Sequence, residues 1–141
     1  MLATDRPPIG STLNRAARIV SRAFDEALTE AGGSLPAWLV LLNVETGQAS
    51  TQRSLAAALG LREPTLSHHL AAMESDGLIT RRRDDANRRV QVVALTDAGR
   101  AQFRRLRQAA IAFDRQLRRG IDDADLALVD ETLARLSANV D

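Results

Sequence analysis

The sequence predicts a mainly α-helical chain that carries one small β-hairpin. Three observations lead there. Apolar residues recur at three- and four-residue steps through most of the length, the period of an amphipathic helix. Residues 78–95 break that rhythm with two β-branched runs around a charged turn. Alanine, leucine and arginine dominate the composition, a balance that favours helix. A chain of 141 residues predicts one domain, or one domain with a helical extension. That length buries a real core without a disulfide or metal staple. The expected organisation is a single domain over 1–141, with a central lobe at about 34–100 flanked by helices at 9–32 and 101–141.

Each element has its own reasons. Ile9, Leu13, Ala16, Val20, Phe24, Ala27 and Ala31 form one stripe on a helix of about six turns, which Gly32-Gly33 ends. Ser34 is an N-cap, and Pro36 sits in the first turn of a helix that is apolar nearly all round from Leu35 to Val44. That helix should be buried, with the only tryptophan, Trp38. Thr51 caps a short helix to Leu59, with Leu55, Ala58 and Leu59 expected inward and Gly60 closing it. After the tight link of Leu61 and Arg62, a helix opens at Glu63-Pro64 and runs to about Ser75. Leu78 to Arg81 reads as a strand, Arg83 to Arg88 as a loop and Val90 to Leu95 as the return strand. Thr96-Asp97 caps a long helix whose seam is Phe103, Leu106, Ala110, Phe113 and Leu117. Asp122 and Asp125 resemble a capping box for a last helix with a seam of Leu126, Val129, Leu133, Leu136 and Val140.

Composition narrows the function. No cysteine is present, which excludes thiol redox sensing, thiolate catalysis and cysteine-ligated zinc. No apolar run is long enough to span a bilayer and no signal-peptide pattern opens the chain, so a cytoplasmic location without membrane contact is expected. Net charge is only +1, but the average hides a gradient. Residues 51–110 carry eleven arginines against six acids, whereas 120–141 are net −5. A basic middle of this kind suggests a localised anion-binding surface.

Helix, short link, helix, hairpin over residues 51–95 is the order of a winged helix-turn-helix. On the second helix Leu66, Leu70 and Met73 must face the core. Pro64, His68 and Ala71 then lie opposite, flanked by Thr65 and Ser67. This outer face is small and polar and suits a DNA major groove. Arg81, Arg82, Arg83, Arg88 and Arg89 crowd the hairpin. Five cations in nine residues suit a phosphate track, with a tip arginine in the minor groove.

Leu55-Ala56, Leu59-Gly60, Pro64 to Ser67, Met73-Glu74, Gly77 to Ile79, Arg81, Asn87 to Arg89, Leu95-Thr96 and Gly99 stand in an order and spacing that resembles the MarR family of winged-helix transcriptional regulators. The motif likeness covers about residues 35–105. It implies a two-fold homodimer in which the first and last two helices interlock as a dimerisation bundle, with Ile9, Leu13, Leu117, Leu126, Val129, Leu133 and Leu136 at the interface. It implies that Pro64, Thr65, Ser67 and His68 belong to the major-groove face and that Arg89 reaches the minor groove. Arg88 and Arg81 to Arg83 would hold or flank phosphates. It further implies a crevice for a small aromatic or anionic effector, with Arg15, Arg18, Trp38 and Phe103 as lining residues. Two departures stand out. Asn87 replaces the family's usual Asp, whose carboxylate pairs with an arginine to shape the wing. Either Asp84 or Asp85 substitutes or the wing is looser. Ala37 stands where a glutamine is common.

The expected function is sequence-specific binding of double-stranded DNA as a homodimeric repressor of a pseudo-palindromic operator, relieved by a small ligand. The alternative is a winged-helix protein-interaction module without specific DNA binding. No enzyme, cofactor or metal is expected. His68 and His69 point about 100° apart on a helix and have no third ligand. His68 is read as groove-facing and His69 as a packing residue. No serine sits on a strained turn beside a base, and no glycine loop cradles phosphate.

Overall fold

A computed structural model describes residues 5–141. The elements are α1 (Ile9–Glu30), α2 (Leu35–Glu45), α3 (Gln52–Leu59), α4 (Glu63–Ser75), β1 (Ile79–Arg83), β2 (Gln91–Leu95), α5 (Asp97–Leu117) and α6 (Asp123–Ala138). The mainly helical class with one antiparallel hairpin is as the sequence predicts. The described chain divides into two compact units that meet in sequence at Ile111-Ala112, inside α5.

The first unit holds the core. Leu28, Val40, Leu41, Leu55, Leu66, Leu70, Ile79, Val93 and Leu106 are its largest fully buried side chains. They come from α1 through α5, so every element of the unit contributes apolar area to one cluster. α3 packs against α2 and α4, β1 against α4, and β2 against α2 and α3.

Local chemistry sets the boundaries. Ser34 Oγ accepts from the Ala37 amide at 3.2 Å, and Asp25 Oδ1 accepts from the Leu35 amide at 3.1 Å. Two free amides at the start of α2 are thereby satisfied, one from α1. Thr51 and Ser54 form a reciprocal capping box on α3, with both amide bonds at 3.0 Å. Gly60 adopts φ +66°, a left-handed conformation open to glycine at little cost, and turns the chain toward α4. Thr96 caps α5 by accepting from the Gly99 amide, and donates to the Gly77 carbonyl at 2.6 Å.

Several details differ from the sequence expectation. Ala58 is exposed and Ala56 is buried. At 100° per residue the inward arc of α3 runs through 55, 59 and 56, and position 58 falls outside it. Leu28, fully buried, lies off the predicted stripe of α1. Arg83 belongs to β1 and Leu78 precedes it. Asp122 makes no side-chain cap on α6. Its carboxylate and those of Asp123 and Asp125 crowd one turn, where they favour the helix's positive end without closing a box.

The second unit contains the end of α5 and all of α6. None of its described residues is fully buried. Leu126 and Leu136 are half-buried, and Leu117, Leu128, Val129 and Leu133 are exposed.

Candidate nucleic-acid interface

α4 presents two chemically different sides. Leu66, Leu70 and Met73 are buried. Pro64, Thr65, His68 and Ala71 are exposed, and Ser67 is half-buried. The predicted outer face is therefore free of core duties. Its polar atoms are two hydroxyls and an imidazole, all short enough to let a backbone come close to base edges. His68 and His69 meet edge to face, with ring centroids 6.2 Å apart. His69 is half-buried and lines a cleft of about 240 Å³ with Ser34, Ala37, Asp76 and Gln102. Among the described residues no group of three or more possible ligands could hold a metal.

The five wing arginines separate into two kinds. The register pairs Ile79 with Leu95, Arg81 with Val93 and Arg83 with Gln91. Strand alternation puts Ile79 and Arg81 on the face of buried Val93 and Leu95, and Arg82 on the other. Arg81 is accordingly tucked in, 18% exposed, and bonded to Glu74. Arg83 reaches along the hairpin, and its Nη1 donates to the Arg88 carbonyl at 2.9 Å. The side chains of Arg82, Arg88 and Arg89 are exposed, and among the described residues no hydrogen bond or ion pair engages them.

Asn87 resolves the question its identity raised. Its Oδ1 accepts from the Arg89 amide at 3.1 Å, and its carbonyl accepts from the Val90 amide at 2.9 Å. This is an Asx turn, in which an asparagine side chain stands in for a backbone carbonyl. The Asp84 amide donates to the Val90 carbonyl at 2.9 Å and closes the loop base. Among the described residues neither Asp84 nor Asp85 forms an ion pair. The wing is shaped by hydrogen bonds to its backbone, from the Asn87 and Arg83 side chains as well as from backbone groups.

Sequence reasoning gave Glu74 no role beyond its place in the motif run, and missed Arg53 and Gln52. Arg53 and Arg89 flank an open cleft of about 550 Å³ that also meets Gln52, Glu63 and Asn87. Gln52 Oε1 is buried there without a hydrogen-bond partner among the described residues. Nothing in the local pattern marks Gln52 or Arg53; only the fold brings 52–53 beside 87–91.

The proposed effector residues are not gathered in one place. Trp38 and Phe103 stack on each other, with centroids 5.6 Å apart and planes 9° off parallel. Arg15 and Arg18 line shallow grooves on the exposed surface of α1, with Ser11, Thr12, Ile19 and Arg22. Of the seven expected interface residues, Ile9, Leu13, Leu117, Val129 and Leu133 are exposed, and Leu126 and Leu136 are half-buried. Ile19 on α1 and Leu128 on α6 are further exposed apolar residues, outside the stripe and the seam predicted for those helices. No helix among the described residues is long and apolar enough to cross a membrane.

The model of the MarR family matches residues 34–90. The crystal structure of transcriptional regulator PA3341 is 31% identical, with 94% of this chain and 98% of that chain covered and a TM-score of 0.81. A MarR-family transcriptional regulator from Rhodococcus sp. RHA1 is 28% identical over 91% of each chain, with a TM-score of 0.79. The transcriptional repressor CouR, solved on a 23-mer DNA duplex, is 26% identical over 92% of each chain, with a TM-score of 0.83. By this likeness in sequence and fold the chain belongs to the MarR family, whose members are transcription regulators and not enzymes.

Proposed function

We propose that this chain binds double-stranded DNA sequence-specifically, as a homodimeric repressor of a pseudo-palindromic operator. The observation that carries the reading is the pairing of two exposed surfaces in one unit. One is the short polar face of α4, with Pro64, Thr65, Ser67 and His68. The other is the wing, whose Arg82, Arg88 and Arg89 have no internal partner among the described residues. The first suits base edges in the major groove and the second suits phosphate and the narrow minor groove. CouR, solved on duplex DNA, has the same fold.

A dimer supplies the second reading head. Exposed Ile9, Leu13 and Ile19 in one unit and Leu117, Val129 and Leu133 in the other are apolar surface that association would remove from water. Two-fold symmetry then predicts half-sites about 10 bp apart, centre to centre. Relief by a small ligand would work through spacing, since two helices must fit successive grooves together. The cleft beside His69 and Gln102 touches α4 directly, so an occupant there would act on the reading helix itself.

The protein-interaction alternative drew its sequence support from Asn87 alone. The Asn87 bond to the Arg89 amide holds the wing turn and so favours the DNA reading. The test is selection of random duplex DNA by the purified protein, followed by titration at several salt concentrations. A two-fold symmetric consensus with a steep salt dependence supports the reading. No enrichment by a confirmed dimer at low salt would refute it.

A further inference from the structure

We infer that Glu74 is a positioning residue for DNA binding: it fixes the wing to α4 through Arg81, which is thereby withdrawn from the DNA-contacting arginines. The inference rests on the reading that α4 and the wing meet DNA together.

β1 is an edge strand. At the Arg81–Val93 pair the two amides point away from each other. The Val93 amide donates to the Ser50 carbonyl at 2.8 Å. The Arg81 amide donates outward to Glu74 Oε2 at 3.2 Å. An edge amide without a partner is both a cost and a handle for wrong pairing. Glu74 answers it from the last turn of α4. Its other oxygen accepts from the Arg81 guanidinium at 3.4 Å. One carboxylate therefore grips the backbone and the side chain of the same wing residue.

β1 packs against α4 through the core, and the grip adds a directional bond between the two reading elements on the exposed side of the strand. α4 ends at Ser75 and β1 begins at Ile79, leaving a three-residue turn through Gly77 at φ +75°. Thr96 ties that turn down at its carbonyl, near the hairpin's base. Further along β1, the two Glu74–Arg81 hydrogen bonds join α4 to the strand. A protein that reads DNA with a helix and a hairpin loses affinity if their mutual angle must be set at each encounter. Arg81 Nε is buried with no partner among the described residues, so this guanidinium is poorly placed to serve solvent or phosphate.

The alternative is that Glu74 and Arg81 are ordinary surface charges, and it predicts the opposite sign. Removing an acid near a DNA-binding face should then raise affinity, and removing Arg81 should cost a phosphate contact. The experiment titrates full-length wild type, Glu74→Ala, Glu74→Gln and Arg81→Met against the duplex that wild type enriches from random DNA. Glu74→Ala and Arg81→Met should each weaken specific binding roughly tenfold. The slope of log affinity against log salt should stay unchanged for both. Glu74→Gln keeps one oxygen for the Arg81 amide and should recover most of the loss. Arg82→Ala is the contrast, with a slope reduced by about 0.9, one phosphate's worth. Tighter or unchanged binding by Glu74→Ala would overturn the inference, as would a reduced slope for Arg81→Met. Amide hydrogen exchange in the DNA-free protein gives an arm that needs no operator. Exchange at Arg81 should rise at least tenfold in Glu74→Ala while Leu55 and Leu66 stay protected, and an unchanged Arg81 would also overturn it. Failure of wild type to enrich any duplex would sink the DNA reading, with the exchange arm still deciding whether the clamp exists.

Discussion

Trp38 and Phe103 lie face to face, ring centroids 5.6 Å apart, and so join α2 to the first half of α5. Trp38 is buried and Phe103 half-buried. A buried ring stacked on a half-buried one is a packing contact between the two helices. Phe103→Ala should therefore destabilise the fold by about 3–5 kcal/mol, of which the ring pairing contributes roughly 0.5–1.5 kcal/mol. Urea unfolding followed by the fluorescence of the only tryptophan measures the loss. A value below about 1 kcal/mol would show that the stack is not a structural contact.

Asn87 makes a sharper distinction. Its Oδ1 bond to the Arg89 amide is available to an aspartate as well. Asn87→Asp should therefore keep the turn and bind DNA within about twofold of wild type, while Asn87→Ala should lose roughly fivefold. Binding titrations on one selected duplex check this. Equal affinities for all three would mean that the Asx turn does not orient Arg89.

Most helix ends were legible because the residues that cap helices are few and specific. Ser34, Thr51, Gly60 and Thr96 do what their identities predict. The outer face of α4 was legible because a 3.6-residue period assigns sides. Two things were not. Glu74 and Arg81 are seven residues apart across a turn, and only the hairpin register shows that Arg81 faces α4. Gln102 looks like any polar residue on a long helix. In the fold it is buried, donates to the Gly32 carbonyl at 2.8 Å and accepts from Arg105. A contact seventy residues away leaves no mark in local periodicity. The capping box expected at Asp122 is absent, since the Asp122 side chain makes no cap hydrogen bond and three carboxylates share the first turn.

Gly99 is required by closeness, not by its dihedral angle. A Cβ there would lie 2.0 Å from the Leu78 carbonyl oxygen. That carbonyl cannot yield easily, because it accepts from the Thr96 amide at 3.0 Å while the Leu78 amide donates to Met73. Gly99→Ala should destabilise by about 3 kcal/mol or slightly more, at the upper end of overpacking effects. Gly10 is the control: it sits in α1, and a Cβ there would meet no neighbouring group within 4 Å. Gly10→Ala should stabilise by about 0.4–1 kcal/mol through the unfolded chain. Thermal melts of the two variants should move in opposite directions.

Leu133 and Val129 are exposed on α6, whose described residues include none that is fully buried. If association covers them, Leu133→Arg places a cation in a dry seam and should yield monomers, with affinity for the selected duplex down by at least 100-fold, about 3 kcal/mol. Sedimentation velocity reads the first effect directly. A variant that remained a tight dimer would show that the interface lies elsewhere.

His68 and Arg89 should fail in different ways. His68 lies on the polar face of α4, where an imidazole reads a base edge as donor or acceptor. Arg89 carries an exposed cation on the wing, and the proposed reading assigns it a phosphate or minor-groove contact. His68→Ala should narrow the gap between selected and scrambled duplexes by about 1–3 kcal/mol and leave the salt slope in place. Arg89→Ala should weaken both duplexes and lower the slope by about 0.9. Titrations of both variants on both duplexes, at four salt concentrations, separate the two roles. If His68→Ala kept its preference while Arg89→Ala lost it, base reading would reside in the wing, and the polar face of α4 would act only as the spacer that seats it.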